Sequence, residues 1–128
     1  MGNGTSIGKV RGLGSAHHGA HHWLAARTTA IGNLILMTWF IVSIVMLEDY
    51  SYAGVTAWLS QPLAAVPMML LILCVFYHAR LGLQVIIEDY IHDSGSKFAL
   101  LSALNLAAIG GGAFAIFSVA SLALTGAA

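Results

Sequence analysis

Charge is what this chain has least of. Lys and Arg number 5, Asp and Glu number 5, and together they make up 8% of 128 residues. So sparse and balanced a set offers no basic face, and no nucleic-acid partner is expected. Hydrophobic residues reach 59% and the mean hydropathy is +0.85. A soluble domain of this composition would leave much apolar surface in water, so an integral membrane protein is predicted. Cysteine is nearly missing as well. Cys74 is the single one, which excludes an intrachain disulfide and a thiolate metal cluster, and it reads as a small core residue.

Room for a soluble domain is also lacking. A helix needs about 20 apolar residues to cross the hydrocarbon core. Three such runs are present, at about 29–47, 63–87 and 98–124. What remains is a polar N-terminal segment, 1–28, partly interfacial, a link at 48–61 and a turn at 88–97. The predicted fold is an all-α membrane protein whose anchor, 29–124, consists of three transmembrane helices. Catalytic machinery that needs a large soluble fold must come from another chain.

Basic residues are missing from one side. Lys9, Arg11 and Arg27 precede the first run, whereas the link after it holds Glu48 and Asp49 and neither Lys nor Arg. Flanks rich in Lys and Arg stay inside, so the N-terminus is predicted inside. Two crossings return the turn with Glu88, Asp89, Tyr90, His92 and Lys97 to that inner side, and the third puts the C-terminus outside. The first 28 residues lack the order of a cleaved secretory signal and are too poor in Arg for a transit peptide. The expected location is an inner membrane, bacterial rather than mitochondrial. Gly2 fits a loose myristoylation pattern, taken as coincidence. Glycines 2, 4, 8, 12 and 14 suggest a strap that orders against a partner or stays loose.

His17 with His21 and His18 with His22 have the i, i+4 spacing that places two imidazoles on one metal, but no Cys, Asp or Glu nearby completes a ligand set. The preferred reading is an interfacial helix start anchored by these imidazoles and Trp23. A third reading has one of them join Arg27 in holding an anionic group at the membrane edge.

His78 is the residue that needs explaining. With Arg80 it is the only titratable side chain able to carry positive charge within the second run, and burying it in lipid is costly. A hydrogen bond across a helix interface is one way to satisfy it, and a proton relay is another, although the chain supplies no further ionisable group at that depth except Arg80. Axial ligation of haem is the third, because a neutral imidazole is a good ligand to iron. Gly82, one turn on, favours this reading, since a missing side chain lets a flat macrocycle lie close. The second ligand would then come from another polypeptide, which predicts a heteromeric helix bundle. Arg80 must find a counter-charge or reach the interface, by snorkelling inward or by pairing with a haem propionate. Asp89, eleven residues after His78, returns to within about 20° of its helix face. With Tyr90 it is either an interface anchor or a pair suited to hydrogen-bond a quinone and deliver protons.

The stretch from His78 to Tyr90, with Gly82 and Gln84 between the His and the Asp89-Tyr90 pair, resembles the second-span signature of the smaller hydrophobic anchor subunit of succinate dehydrogenase, respiratory complex II. The stretch His21 to Ile31, with its Arg27 and Thr29-Ala30-Ile31, is similar to that family's entry into the first span. The resemblance implies that His78 is an axial ligand to the iron of haem b, shared with the larger cytochrome b anchor subunit. It implies that Tyr90 and Asp89 belong to the ubiquinone site, and that Arg27 and His21 lie on the haem propionate side. It further implies a flavoprotein subunit with FAD and an iron-sulfur subunit as partners, and a role in coupling succinate oxidation to quinone reduction with no dehydrogenase activity in this chain alone. Two alternatives stand beside it: a quinol-fumarate reductase anchor, and a non-redox small membrane transporter or assembly protein.

Overall fold

The computed structural model describes residues 19–125, all of its regular structure being helical. Four helices follow one another: α1 (Gly19–Val45), α2 (Tyr52–Leu59), α3 (Pro62–Tyr90) and α4 (Ser94–Thr125). Three of them, α1, α3 and α4, are long and apolar enough to cross a membrane. The expected all-α, three-span class is what the described residues form. Lys9, Arg11, the glycine strap, His17 and His18 lie outside them.

Helix α1 starts at Gly19, well before the apolar run that begins near Thr29. Ala, His, Trp and Leu all continue a helix once it has started, so the apolar boundary does not coincide with the helical one. Helix α3 opens with Pro62 in its first turn, where a missing N–H costs nothing, and ends with the Ile91 N–H bonded to the Ile87 carbonyl at 3.0 Å. Hydroxyls within the spans bond back to their own helix. Thr38 donates to the Leu34 carbonyl at 2.7 Å and Ser118 to the Phe114 carbonyl at 2.9 Å, which removes the cost of a bare hydroxyl in lipid.

The helices form an open row with α3 in the middle. Helix α3 packs on α1 and on α4, and α1 and α4 do not approach each other. Gly111 and Gly112 of α4 receive the Phe76 ring from α3; a Cβ on Gly111 would come within 2.7 Å of that ring. Small residues let the two backbones close in, as helix association in lipid requires. On the other side a Cβ on Gly32 of α1 would meet the Cys74 sulfur at 3.0 Å. Cys74 is thus a packing residue, as expected. Buried apolar side chains are few: Ala64, Ala65, Leu71, Leu81 and Val119. Most large apolar side chains face outward, onto lipid or other chains.

The link at 48–61, expected as a plain connection, contains a helix, α2. Asp49 Oδ1 accepts from the Ser51 N–H at 2.8 Å, and Ser51 Oγ in turn accepts from the Gly54 N–H at 3.1 Å, so Ser51 caps α2. A Cβ on Gly54 would sit 2.4 Å from the Asp49 carbonyl oxygen, which leaves glycine as the residue that fits. Thr56 is the buried polar residue of α2, and its hydroxyl bonds the Tyr52 carbonyl at 2.8 Å. Ser60 Oγ ties the end of α2 to the Leu122 carbonyl of α4 at 3.1 Å, and Trp58 stacks on Trp39 of α1 with centroids 6.1 Å apart.

At the opposite end the α3–α4 turn is short. Asp93 Oδ2 accepts from the Ser96 N–H at 2.7 Å, capping α4. That amide, and after it the Ser96 hydroxyl, hold the Asp93 carboxyl below the ordinary carboxylate range. A depressed acid stabilises the fold fully above its unfolded value, about 3.9, and this contribution is lost as the pH falls through the lower folded value. The Ser96 amide is therefore expected to exchange more slowly than an unstructured amide at neutral pH, to lose that protection on acidification below about 3.9, and to exchange at the unprotected rate for each pH in Asp93→Ala. Slow exchange in that variant would show that the carboxylate does not cap the helix.

Candidate functional site

The antiparallel order of α1 and α3 brings the first half of α1 beside the second half of α3. There Thr29 Oγ1 lies 3.0 Å from His78 Nδ1, and the same hydroxyl lies 2.8 Å from the Ala25 carbonyl oxygen. His78 is half-buried, and its Nε2 has no hydrogen-bond partner among the described residues. A cavity of about 700 Å³ opens next to it, lined by His22, Trp23, Ala26, Arg27 and Ala30 of α1 and by His78, Gln84, Val85 and Glu88 of α3. Its walls combine apolar surface with a few polar groups, the usual make-up of a cofactor or ligand site.

The polar groups have distinct environments. The Arg27 guanidinium lies 5.6 Å from the centre of the Trp23 ring, a cation–π contact that holds it at the mouth. His22 Nε2 is buried and has no hydrogen-bond partner among the described residues. Gln84 Nε2 donates to Glu88 Oε1 at 2.8 Å, and Lys97 Nζ donates to the Glu88 carbonyl at 3.0 Å, tying α4 to the end of α3. A Cβ built on Gly82 meets nothing within 4 Å, so the surface beside His78 is open there.

Of the residues singled out from sequence, His78 and Arg27 meet at this cavity. His21 is exposed and does not line it, whereas its neighbour His22 does. The signal for His22 was legible: His22, Ala26 and Thr29 follow the i, i+4, i+7 rule for one helix face, the face that meets His78. Asp89 and Tyr90 are exposed at the end of α3, outside the cavity lining, with Tyr90 77% accessible. Twelve residues separate His78 from Tyr90, about 18 Å along the axis.

Arg80 points the other way. Two residues of α-helix rotate by about 200°, and Arg80 Nε donates to Asn105 Oδ1 of α4. Its guanidinium also lies 5.9 Å from the Tyr77 ring centre, beside an apolar groove of about 310 Å³ between α3 and α4. That placement on the α4 side takes Arg80 away from the His78 cavity. Among the described residues no cluster of three His, Cys, Asp or Glu side chains comes together to hold a metal ion.

A sequence profile of the family described as succinate dehydrogenase/fumarate reductase transmembrane subunit matches residues 1–124. The chain belongs to that family. Among its relatives is the succinate dehydrogenase hydrophobic membrane anchor subunit of Rickettsia bellii (strain RML369-C). It is 36% identical over 106 residues, which are 82% of this chain and 84% of that protein. The protein of the same description from Rickettsia conorii is 35% identical over 88 residues, 68% of this chain and 70% of its own length. That of Paracoccus denitrificans is 27% identical over 92 residues, 72% and 71% of the two chains. A transmembrane subunit with such relatives and three apolar helices is a membrane anchor of complex II and a multi-pass protein of the bacterial inner membrane. The complex it belongs to is an oxidoreductase.

Proposed function

We propose that this anchor supplies His78 as one axial ligand to the iron of haem b, shared with a larger cytochrome b anchor subunit, and that Tyr90 and Asp89 form part of a ubiquinone-reduction site. The observation that carries the first part is the placement of His78 on a cavity wall opposite Arg27 and His22. The residues fit the group. Nε2 of His78 makes no hydrogen bond among the described residues, the buried Nε2 of His22 lacks a partner, and the surface at Gly82 is open. Arg27 at the mouth, with His21 on the outer surface next to His22, is the proposed side for the propionates, since a guanidinium pairs well with carboxylates. Haem b supplies a one-electron centre within the membrane when bound.

The remaining roles fall to side chains of this chain. Tyr90 Oη has no hydrogen-bond partner among the described residues and is free to donate to a quinone carbonyl. Asp89 beside it is placed to pass protons as the carbonyl is reduced. The apolar outer faces of α1, α3 and α4 serve as the dock for the larger anchor subunit, while an iron-sulfur subunit sits on the membrane surface at the polar end of the bundle and a flavoprotein subunit beyond it, the two carrying the clusters and FAD. This chain alone has no dehydrogenase activity. The N-terminus inside is supported by the ends of the bundle: Arg27 and Lys97 lie at one, while Glu48 and Asp49 lie at the other with no Lys or Arg near them. The relatives are named for succinate dehydrogenase, which favours succinate oxidation over fumarate reduction as the working direction.

Purification in mild detergent tests this reading. A flavoprotein, an iron-sulfur protein and a second hydrophobic subunit are expected to accompany the chain in equal amounts, and the assembly is expected to show a b-type absorption band on reduction. Purification without flavin or haem would overturn it.

A further inference from the structure

We infer that Thr29 is a positioning residue for His78, which fixes the tautomer and orientation of the imidazole so that Nε2 presents its lone pair to the iron. The inference rests on the haem reading above and deepens it. A threonine hydroxyl carries one proton. Thr29 Oγ1 is 2.8 Å from the Ala25 carbonyl oxygen and 3.2 Å from that of Ala26, and neither carbonyl has a proton to give. Two oxygens at 2.8 Å without a proton between them repel, so the hydroxyl proton points at Ala25. The contact of 3.0 Å to His78 Nδ1 then has one consistent polarity, with Nδ1–H donating to a lone pair of Thr29. A neutral imidazole protonated at Nδ1 has its free lone pair on Nε2.

The arrangement follows from the folding of α1 against α3. Thr29 is half-buried on the α1 face that meets α3, and its χ1 is held by the bond back to its own helix, so the acceptor is in place before any ligand binds. Ligating histidines are commonly oriented by a hydrogen bond from the other ring nitrogen, which also raises the electron density of the ring. Here that partner is a hydroxyl whose own proton is already committed, a weaker and neutral acceptor than a carboxylate.

The test uses the whole detergent-solubilised complex, with copurifying flavin as the measure of assembly. In Thr29→Val, which keeps shape and removes the acceptor, haem affinity is expected to fall by roughly 10–100-fold, read as a lower haem-to-flavin ratio. The midpoint potential of the haem that remains should move positive, because a ring that donates no hydrogen bond pushes less charge toward ferric iron. Thr29→Ser restores the hydroxyl and should restore both readouts, and Thr29→Ala should behave as Thr29→Val. Wild-type haem content and potential in Thr29→Val and Thr29→Ala, with haem lost in His78→Ala, would overturn the positioning role alone. Haem loss in Thr29→Ser equal to that in Thr29→Val would also overturn it, since packing and not the hydroxyl would then matter. Haem kept in His78→Ala would instead overturn the haem reading itself.

Discussion

Replacing His78 with alanine is expected to remove the b-type absorption band from the assembled complex, with a fall in the haem-to-flavin ratio of well over about tenfold. The size follows from what the substitution deletes. Losing a partner one shell away from a metal costs on the order of 10–100-fold in affinity, and losing the ligand itself costs more. Among the described residues no other imidazole lies at that depth beside Thr29. His22 faces the same cavity, but it lies seven residues before Thr29, about 10 Å along α1 toward the membrane surface. His92 lies beyond the end of α3. The test is a reduced-minus-oxidised spectrum normalised to flavin, so that poor assembly is not mistaken for haem loss. An unchanged band would rule out ligation by this residue.

The Tyr90→Phe substitution is expected to leave the haem band intact and to slow quinone reduction by about 100-fold, the lower end of what one hydrogen-bond donor to a developing oxyanion contributes. It changes one hydroxyl and almost no volume. Tyr90 is 77% accessible and packs on nothing that would hold the fold, so stability should be unaffected. The separation from His78, about 18 Å along the helix, is why the two substitutions should give independent defects. Measurement of succinate oxidation with a soluble acceptor, which bypasses the membrane end, should give the wild-type rate, whereas turnover with a short-chain quinone should fall. Wild-type quinone turnover would remove Tyr90 from the proposed site.

Parts of this site were visible from one-dimensional spacing and parts were not. His78 stood out because an imidazole inside an apolar run is costly, and Arg27 because it precedes a span closely. The order of residues in the motif points to His21, whereas His22 lines the cavity, because a single residue step on a helix turns a side chain by about 100°. Arg80 left two options open in sequence. Its bond to Asn105, 25 positions away, depends on how α4 lies against α3. The short helix α2 is not legible in the sequence, because it is held by a cap at Ser51 and by contacts of Ser60 and Trp58 with distant helices, and eight residues carry too little periodicity to be read alone.

Composition and run length by themselves determined that this is a three-span membrane protein, because lipid accepts only segments whose backbone bonds are satisfied within the helix. The same reading placed an imidazole within the second span. What only the tertiary structure decided is which groups face it. Thr29 is 49 positions from His78, and their contact exists because α1 and α3 pack antiparallel at one particular rotation. Periodicity assigns residues to helix faces, but the facing of one helix by another is set by side chains meeting across the interface, such as Cys74 against Gly32 and Phe76 against Gly111 and Gly112.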